Sequence, residues 1–490
     1  MTSELNFRSI FAAIVPLACL IGFVLIAVNV FGGDVGEGAS QISLIMGTAV
    51  AIAFARFVNH VPWSTIEQGM VKSIANASIS ILILLLVGML SGAWMIGGVV
   101  PTLIRYGVEM MNPKLFLVSA CVICAVVSLM TGTSWTTVAT VGVALLGIGT
   151  ALGVPVAWSA GAIISGAYFG DKLSPLSDTT ILASSSTGTE LFTHIRYMLQ
   201  TTIPSMTLAL LAYGVAGFFL VDASAVNAAE YVDGLERTFN ITPWTLLVPV
   251  GTIVLIALRL PSLVVLFLSA LMAGVSAMAL EGDVLCQIIG EKELSLVASY
   301  KGLMTAFFSS THIDTGSAAL NRLVSTRGMG GMMSTIWLII CAVSFGGVMY
   351  AGGMLGTIAA AIIACVKRVS TLVGATAFTG WLMNVATGDQ YISILVTADM
   401  FRDVYRRRGL ESRLLSRSIE DSSTVTSVLV PWNTCAMAQS TSLGVATVVY
   451  LPFCFFNLIS PFMSVAVAAT GWGIRRMAGN TERNGDEAEA

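Results

Sequence analysis

Long apolar stretches separated by short polar turns dominate this chain. Ser9–Phe31 and Ser80–Val100 each reach the length of roughly 20 apolar residues that crosses the hydrocarbon core of a bilayer. In lipid, a spanning backbone must satisfy its own hydrogen bonds, so these segments are expected to be helices. Because Ser9–Phe31 is long and has no basic stretch leading to a small-residue cleavage site, we interpret it as a retained span. The pattern predicts an all-α polytopic membrane protein.

Composition agrees with the hydrophobic pattern. Of the 490 residues, 56% are hydrophobic and only 10% are charged, against about 25% charged in soluble domains. The net charge of −3 is uninformative, and we expect no nucleic-acid partner and no cofactor. Cys121 and Cys124 form a single CxxC inside an apolar segment, which favours packing over metal binding.

The sequence matches itself weakly at an offset of 256 residues. The shared positions are mostly Gly, Pro and Ser at the same mutual distances: Thr131-Gly132 with Thr387-Gly388, Leu173-x-Pro175 with Leu429-x-Pro431, and Ser184-x-Ser186-x-Gly188 with Ser440-x-Ser442-x-Gly444. This predicts two homologous halves, residues 1–222 and 240–476, joined by an extracytoplasmic linker at residues 223–239. Residues 477–490 are polar and small, and we expect a disordered cytoplasmic tail.

Loop charges indicate how the halves are oriented. Residues 402–417 carry six arginines, whereas the equivalent residues 151–160 carry no charge. By the positive-inside rule, equivalent loops lie on opposite sides of the membrane. Two further loop pairs agree, while residues 101–114 and 357–370 are both mildly basic and dissent. The balance favours inverted-topology repeats, with the N- and C-termini in the cytoplasm.

Each half contains an apolar stretch that is too long to cross the membrane once and too short to cross it twice. Residues 115–150 are the first example, and we predict a re-entrant hairpin with its tip at Thr131–Thr137. The equivalent tip is Thr387–Ser393. Irregular backbone at membrane depth is tolerated where it is buried in protein or lines a wet cavity. With a Pro-broken span following each hairpin, the threading gives about 10 full spans and two hairpins.

The stretch Phe169–Thr180, FGDKLSPLSDTT, places three ionisable groups within an otherwise uncharged apolar tract. Pro175 breaks the helix. The break frees backbone groups beside hard oxygen ligands suited to a small cation such as Na⁺. The candidate ligands from both halves are Asp171, Ser174, Ser177, Asp178, Thr179, Thr133, Asp389, Asn433 and Thr434.

Among the carboxylates, Asp178 and Asp389 are the principal candidates for binding Na⁺, because each is flanked by polar residues near a break. Asp171 is balanced between direct ligand and structural partner, and a structural role is favoured for Lys172. Glu420-Asp421 is interpreted as an acidic first turn of the second broken span. His194 is expected near a loop and solvated.

Several long motifs resemble the NhaC-type Na⁺/H⁺ antiporter family. They are GDKLSPLSDTT (residues 170–180), RGMGGMMSTIWLIICAVSFGG (residues 327–347) and DQYISILVTADMF (residues 389–401). The resemblance covers most of residues 70–475. It implies a multi-pass antiporter of a bacterial or archaeal cytoplasmic membrane, with inverted repeats and re-entrant hairpins. It also implies relatives that couple Na⁺ or H⁺ to small carboxylates such as malate and lactate. Ile181 departs from the pattern, which has Asn there in many members.

The favoured hypothesis is a secondary transporter that exchanges Na⁺, or another monovalent cation, for H⁺ by alternating access. Exchange of an organic anion or amino acid is the alternative. The sequence is also compatible with a homodimer. An intramembrane aspartyl protease, the enzymatic alternative, is disfavoured because Tyr168 and Ala386 stand where that class requires Gly. We therefore expect no enzymatic activity.

Overall fold

The fold is described here from a computed structural model of the chain. It describes residues 7–31, 38–220, 228–291, 293, 295–317, 320, 321 and 324–476. Within these ranges the regular structure is helical, and the only β contacts are two isolated bridges, Thr311 with Thr326 and Leu410 with Arg476. The predicted all-α architecture is confirmed.

Helices α1–α11 cover the first half and the connection that follows it. Their bounds are α1 Phe7–Phe31, α2 Ala39–Ala53, α3 Trp63–Ile96, α4 Val99–Met110, α5 Phe116–Thr131, α6 Ser134–Thr137, α7 Val143–Ala151, α8 Val156–Leu173, α9 Asp178–Thr187, α10 Leu191–Leu220 and α11 Ala228–Thr238. Two π-helical turns, Phe54–Val58 and Val138–Gly142, continue α2 and join α6 to α7.

Helices α12–α23 form the second half. Their bounds are α12 Leu247–Ala257, α13 Ser262–Leu280, α14 Gly282–Ile289, α15 Leu296–Phe308, α16 Met333–Ala351, α17 Met354–Ala364, α18 Val369–Thr387, α19 Gln390–Arg407, α20 Ser412–Ile419, α21 Thr434–Leu443, α22 Thr447–Tyr450 and α23 Phe455–Thr470. A third π-helical turn, Glu420–Thr424, continues α20. Short 3₁₀ turns lie at Pro113–Leu115, Pro243–Leu246, Met329–Met332, Ser427–Leu429 and Leu451–Phe453.

The described helices include enough membrane-spanning candidates for a polytopic protein. Nine of them are long and apolar enough to cross a bilayer, and the number rises to 11 if each of two bent helix pairs is one span. Their outward faces keep large apolar side chains exposed, such as Phe219 at 86% and Phe462 at 76%. Such surfaces are costly in water and suit lipid. The chain is a multi-pass membrane protein.

Helices α5 and α8 approach each other closely because α8 carries glycines on the shared face. A Cβ at Gly166 would come within 2.0 Å of the Cys121 carbonyl oxygen, and one at Gly170 within 2.2 Å of the Ala125 carbonyl oxygen. Small residues of this kind let membrane helices pack backbone to backbone. Cys121 and Cys124 are buried free thiols in this contact. The packing fixes the end of α8, where the candidate site begins.

The long central helices of the two halves pack reciprocally. Helix α3 packs along α13 and α16, and α16 in turn packs along α2. Thus the third long helix of each half lies against its counterpart and against the second long helix of the other half.

Several helix boundaries recur at the spacing of 256 residues. Helices α6, α8 and α9 begin at residues 134, 156 and 178, and α19, α20 and α21 begin at residues 390, 412 and 434. Gly132 and Gly388, which end α5 and α18, both have a left-handed φ, of 69° and 64°. The matched Gly, Pro and Ser positions therefore mark corresponding helix ends.

The segment expected to link the halves, residues 223–239, is partly helical. It contains α11 at Ala228–Thr238, where Arg105 pairs with Glu236 at 2.5 Å. Residues 221–227 and the predicted tail at residues 477–490 lie outside the described residues.

Candidate functional site

The break between α8 and α9 is built by Pro175 and two serines. Helix α8 ends at Leu173, and α9 begins at Asp178 with Ser177 as its N-cap. The Ser174 hydroxyl accepts a hydrogen bond from the backbone N–H of Leu176 at 3.2 Å. These serines satisfy backbone donors that the proline break leaves without helical partners. The break is therefore a fixed turn with buried hydroxyls.

Asp171 ties this break to the loop between α5 and α6. Its Oδ2 accepts hydrogen bonds from the backbone N–H of Ser134 at 2.9 Å and from its hydroxyl at 2.7 Å. Its Oδ1 accepts a hydrogen bond from the Ser177 hydroxyl at 2.6 Å. Gly132 lies so close that an added Cβ would meet the Leu176 Cβ at 2.7 Å. Asp171 is buried and fully hydrogen-bonded, which gives it a structural role whether or not it also binds a cation.

The second half repeats this arrangement with different side chains. Helix α18 ends at Thr387, and Asp389 is the N-cap of α19, with its Oδ1 accepting from the backbone N–H of Ile392 at 3.0 Å. The backbone N–H of Thr434 donates to the Gly388 carbonyl oxygen at 2.9 Å. The Thr434 hydroxyl lies 3.4 Å from Asp389 Oδ2. Here too, a helix break after a glycine contacts a break near a proline.

The four breaks meet at one junction, because each half packs its broken elements against those of the other. Helix α9 lies along α19, while α6 and the π-helical turn after it lie against α21. The Tyr391 side chain interacts electrostatically with Asp171, Asp178 and Asp389. Carboxylates separated by more than 200 residues in the chain therefore share one electrostatic environment.

The two principal carboxylates differ in environment. Asp178 is exposed and makes no hydrogen bond through its side chain among the described residues. Asp389 is 2% exposed and uses both oxygens within the protein. The oxygens of Asp178 are therefore free to coordinate a cation, whereas those of Asp389 are already hydrogen-bonded inside the protein.

The remaining predicted ligands also lie at the junction. The Thr179 hydroxyl is 3.0 Å from that of Ser177, and Thr133 is the residue before α6. Asn433 caps α21 by accepting from the backbone N–H of Cys435 at 3.0 Å, and its Nδ2 lies 3.3 Å from Asn384 Oδ1. Of the predicted set, Ser177 and Asn433 occupy equivalent N-cap positions.

A buried charge cluster beside the junction was only partly foreseen. Lys172, whose partner the sequence did not identify, forms an ion pair with Asp421, and both side chains are fully buried. The Thr201 and Ser460 hydroxyls contact Asp421 Oδ1 at 3.1 Å and 3.3 Å. The interpretation of Glu420-Asp421 as an acidic first turn is wrong, because both residues lie in the buried π-helical turn that continues α20 and not at the start of a helix. A buried lysine requires an acidic partner, and that requirement is the signal that such a partner exists, although it does not indicate which acid.

Two further ionisable side chains belong to this buried region. Arg417 Nε lies 3.9 Å from Asp421 Oδ2, and its guanidinium lies over the Tyr197 ring, 4.6 Å from the centroid. The expectation that His194 is solvated is wrong: its side chain is fully buried, with Nδ1 2.8 Å from the Ser416 hydroxyl. His194 lies in the first turn of α10 and faces α20 through this contact.

Within the described ranges, no group of three or more His, Cys, Asp or Glu side chains is placed to hold a metal ion. A transported cation at the junction would depend on one or two carboxylates supplemented by hydroxyl and backbone oxygens. Hard oxygens of this type suit Na⁺, and the breaks in four helices supply them without a dense acidic cage.

Comparison with known proteins gives the family. The family model described as the Na⁺/H⁺ antiporter family matches residues 3–187 and 166–472, which together cover most of the chain. The chain belongs to the Na⁺/H⁺ antiporter family.

The proteins similar to this chain include several that are named as antiporters. The Na⁺/H⁺ antiporter NhaC of Bacillus subtilis is 35% identical over 87% of this chain and 90% of its own length. The malate-2H⁺/Na⁺-lactate antiporter of the same organism is 36% identical over 90% of this chain and 91% of its own length. The arginine/ornithine antiporter ArcD of Halobacterium salinarum is 32% identical over 94% of this chain and 92% of its own length. The resemblance to NhaC-type antiporters is confirmed, and antiport across a membrane follows for this chain.

Proposed function

We propose that this antiporter exchanges Na⁺ for H⁺ by alternating access, with the transported cation bound at the junction of the four helix breaks. The observation that carries the proposal is that Asp178 and Asp389, from opposite halves, stand at the starts of α9 and α19, which pack against each other. Intramembrane carboxylates are costly and usually mark ion or proton pathways. Family membership supports Na⁺ and H⁺ as the transported species.

Asp178 is the proposed exchange carboxylate. The apolar protein and lipid around the junction favour a neutral carboxyl group, whereas a bound cation favours the ionised form. Protonation of Asp178 would therefore displace Na⁺, and Na⁺ would displace the proton. The neighbouring oxygens of Ser174, Ser177, Thr179, Thr133 and Thr434 would complete the coordination. Asp389 would supply the second negative charge and hold the start of α19.

Alternating access requires two structural units that move relative to each other. We propose that residues 1–222 and 240–476 are inverted-topology repeats, each with a re-entrant hairpin. The recurring helix boundaries and the reciprocal packing of α2, α3, α13 and α16 support this proposal. We further propose a bacterial or archaeal cytoplasmic membrane as the location, with both termini inside, and transport without a cofactor or enzymatic step.

Exchange of a small organic anion or amino acid is the second candidate. Helices α9 and α21 begin at the junction, so their N-terminal dipole ends face it, an arrangement that attracts carboxylate groups. The malate/lactate and arginine/ornithine relatives support this alternative.

The test is transport by the purified chain in proteoliposomes that contain a pH-sensitive dye. An inward Na⁺ gradient should drive protons out when no organic solute is present, and Li⁺ and K⁺ gradients measure selectivity. Parallel vesicles receive malate, lactate, arginine or ornithine. Proton movement that requires one of these solutes would favour the second candidate and contradict simple cation/proton exchange.

A further inference from the structure

A cluster of unsatisfied polar atoms surrounds the π-helical turn Glu420–Thr424. Both carboxyl oxygens of Glu420, the Ser423 hydroxyl and the Thr424 hydroxyl are buried without a hydrogen-bond partner. All three side chains are 0–1% exposed. Buried polar groups are nearly always hydrogen-bonded, and π-helical turns occur frequently at functional sites. The concentration of unpaired buried polar atoms in this one turn therefore suggests a functional role for it.

Glu420 differs from its neighbour Asp421 in one decisive respect. Asp421 has a buried cation, Lys172, and two hydroxyl donors at Oδ1. Neither Glu420 oxygen forms an ion pair or a hydrogen bond of normal geometry, and the one hydroxyl beside it, that of Thr424, is a neutral donor. An ionised carboxylate that is buried without a cation or a strong donor loses its hydration and gains nothing in return. A protonated carboxyl group is neutral and avoids this desolvation cost. The geometry therefore favours a proton on Glu420 in the state that the structure shows.

Electrostatic interactions link Glu420 to the cation site. Asp171, at the junction, and the adjacent Asp421 both disfavour a negative charge on Glu420, whereas Lys172 favours it. Around the turn, the elements that carry ionisable residues are α9 with Asp178, α10 with His194, α19 with Tyr405 and α20 with Arg417, while α18 and α23 have none. The protonation of Glu420 thus depends on a balance that the charge at the junction can alter.

We propose that Glu420 is a second proton-binding site of the transporter, separate from the carboxylates that bind the cation. With the junction empty, the negative field of Asp171 keeps the proton on Glu420. When Na⁺ binds among the junction carboxylates, its positive charge offsets that field. The Glu420 O–H bond then breaks and the proton passes to water, leaving a carboxylate facing Lys172. Departure of Na⁺ reverses the step.

This coupling differs from competition at Asp178, because Na⁺ and the proton occupy different atoms. It is a reciprocal linkage between two sites: Na⁺ lowers proton affinity at Glu420, and a proton on Glu420 lowers Na⁺ affinity at the junction. The inference rests on the proposed Na⁺/H⁺ exchange. It adds that the cation releases a proton from Glu420 as well as from Asp178.

The experiment counts protons released when Na⁺ binds to the purified full-length protein. NaCl is added to protein in weakly buffered detergent solution with a pH dye, across a range from acidic to alkaline pH, and calorimetry gives the Na⁺ affinity. Glu420→Gln should retain Na⁺ binding but release fewer protons per bound Na⁺ than the wild type. Its Na⁺ affinity should also depend less steeply on pH.

The matched control is Glu67→Gln, which changes an exposed glutamate on α3 that makes no side-chain hydrogen bond among the described residues. It should release as many protons as the wild type. Equal proton release by Glu420→Gln and the wild type at every pH would overturn the inference about Glu420 and leave the proposed Na⁺/H⁺ exchange standing. A wild type that binds no Na⁺ and releases no proton would contradict the proposed function instead. If Glu420→Gln does not fold, Glu420→Ala, which also lacks the carboxyl group, replaces it, and an unchanged pH profile of proton release in that variant overturns the inference.

Discussion

At the scale of single residues, Asp389 has two separable tasks. Its Oδ1 caps α19 through the Ile392 N–H, and its negative charge is part of the junction. Asp389→Asn keeps a capping oxygen and removes the charge, so we expect a folded protein with weakened Na⁺ affinity. Asp389→Ala also removes the cap, which should cost about 0.5–2 kcal/mol of stability. Thermal unfolding with and without Na⁺ separates the two effects. Equal Na⁺ stabilisation in the wild type and Asp389→Asn would contradict the role of the charge.

Glu281 provides a pH-dependent prediction outside the spans. It directly follows α13, is 2% exposed, and accepts the backbone N–H of Asn240 at 3.1 Å and 3.2 Å. Burial raises the pKa of Glu281 to about 7, and the Asn240 hydrogen bond partly opposes the shift. A carboxyl whose pKa is raised on folding contributes stability that is present below its ordinary pKa and is lost as pH rises through about 7.

The Glu281 prediction is measured as a difference between two proteins. The melting temperature of the wild type relative to Glu281→Gln should fall as pH increases from acidic to mildly alkaline values. Asp233→Asn, a change at an exposed carboxylate that is not among the groups acting on Glu281, is the control and should not alter this trend. A pH-independent difference between wild type and Glu281→Gln would show that the carboxyl does not titrate differently in the folded state.

Residue roles were predictable from sequence where local chemistry determines them. Ser177 and Asn433 are N-caps in the structure, and both stand just after a proline in a polar run, as caps after a break commonly do. The pairing of Lys172 with Asp421 could not be predicted, because 249 residues separate the partners and several acids were available. The burial of His194 likewise depends on how α10 packs, which its flanking sequence does not specify.

At the scale of elements, the turn after α5 must fit against the proline break. Gly132 and Gly188 have similar left-handed φ values, 69° and 72°. An added Cβ at Gly132 would meet Leu176 backbone carbon at 2.8 Å, whereas one at Gly188 would meet nothing within 4 Å. Both alanine variants incur the backbone penalty, but only Gly132→Ala also pushes the break away. We expect Gly132→Ala to cost about 1–3 kcal/mol more than Gly188→Ala.

Thermal unfolding in detergent measures the Gly132 effect, with Gly188→Ala as the matched control. Transport should be impaired in Gly132→Ala beyond what its stability explains, because the loop that carries Thr133 and Ser134 moves. Two variants of equal stability and equal activity would mean that the contact between the loop and the break is unimportant.

Element boundaries were well suited to prediction because Gly and Pro act locally. Thr131-Gly132 and Thr387-Gly388 end α5 and α18, and Pro175 lies between α8 and α9. The short helix α11 was missed, because its amphipathic and charged sequence resembles a solvated loop and its docking on α4 is a tertiary effect. The π-helical turn at Glu420–Thr424 was also missed, since no residue type marks such a turn.

At the scale of the whole molecule, the orientation of the repeats is a testable consequence of the loop charges. We predict that Asp233, on α11, faces the outside and that Arg407, at the end of α19, faces the cytoplasm. Single cysteines at these exposed positions, in a variant without the eight native cysteines, should react with a membrane-impermeant reagent from opposite sides. Labelling of both from the same side would contradict the inverted arrangement.

The most direct measurement of the central claim is Na⁺-driven proton movement by Asp178→Asn in proteoliposomes. Asp178 is exposed at the junction and makes no side-chain hydrogen bond among the described residues, so its replacement should leave folding within about 0.5 kcal/mol of the wild type. Asp403→Asn, at an exposed carboxylate near the end of α19, is the control and should transport normally. We predict that Asp178→Asn folds, inserts and moves no protons in response to Na⁺. Exchange at the wild-type rate with unchanged pH dependence would contradict the account and place the exchange site on another carboxylate.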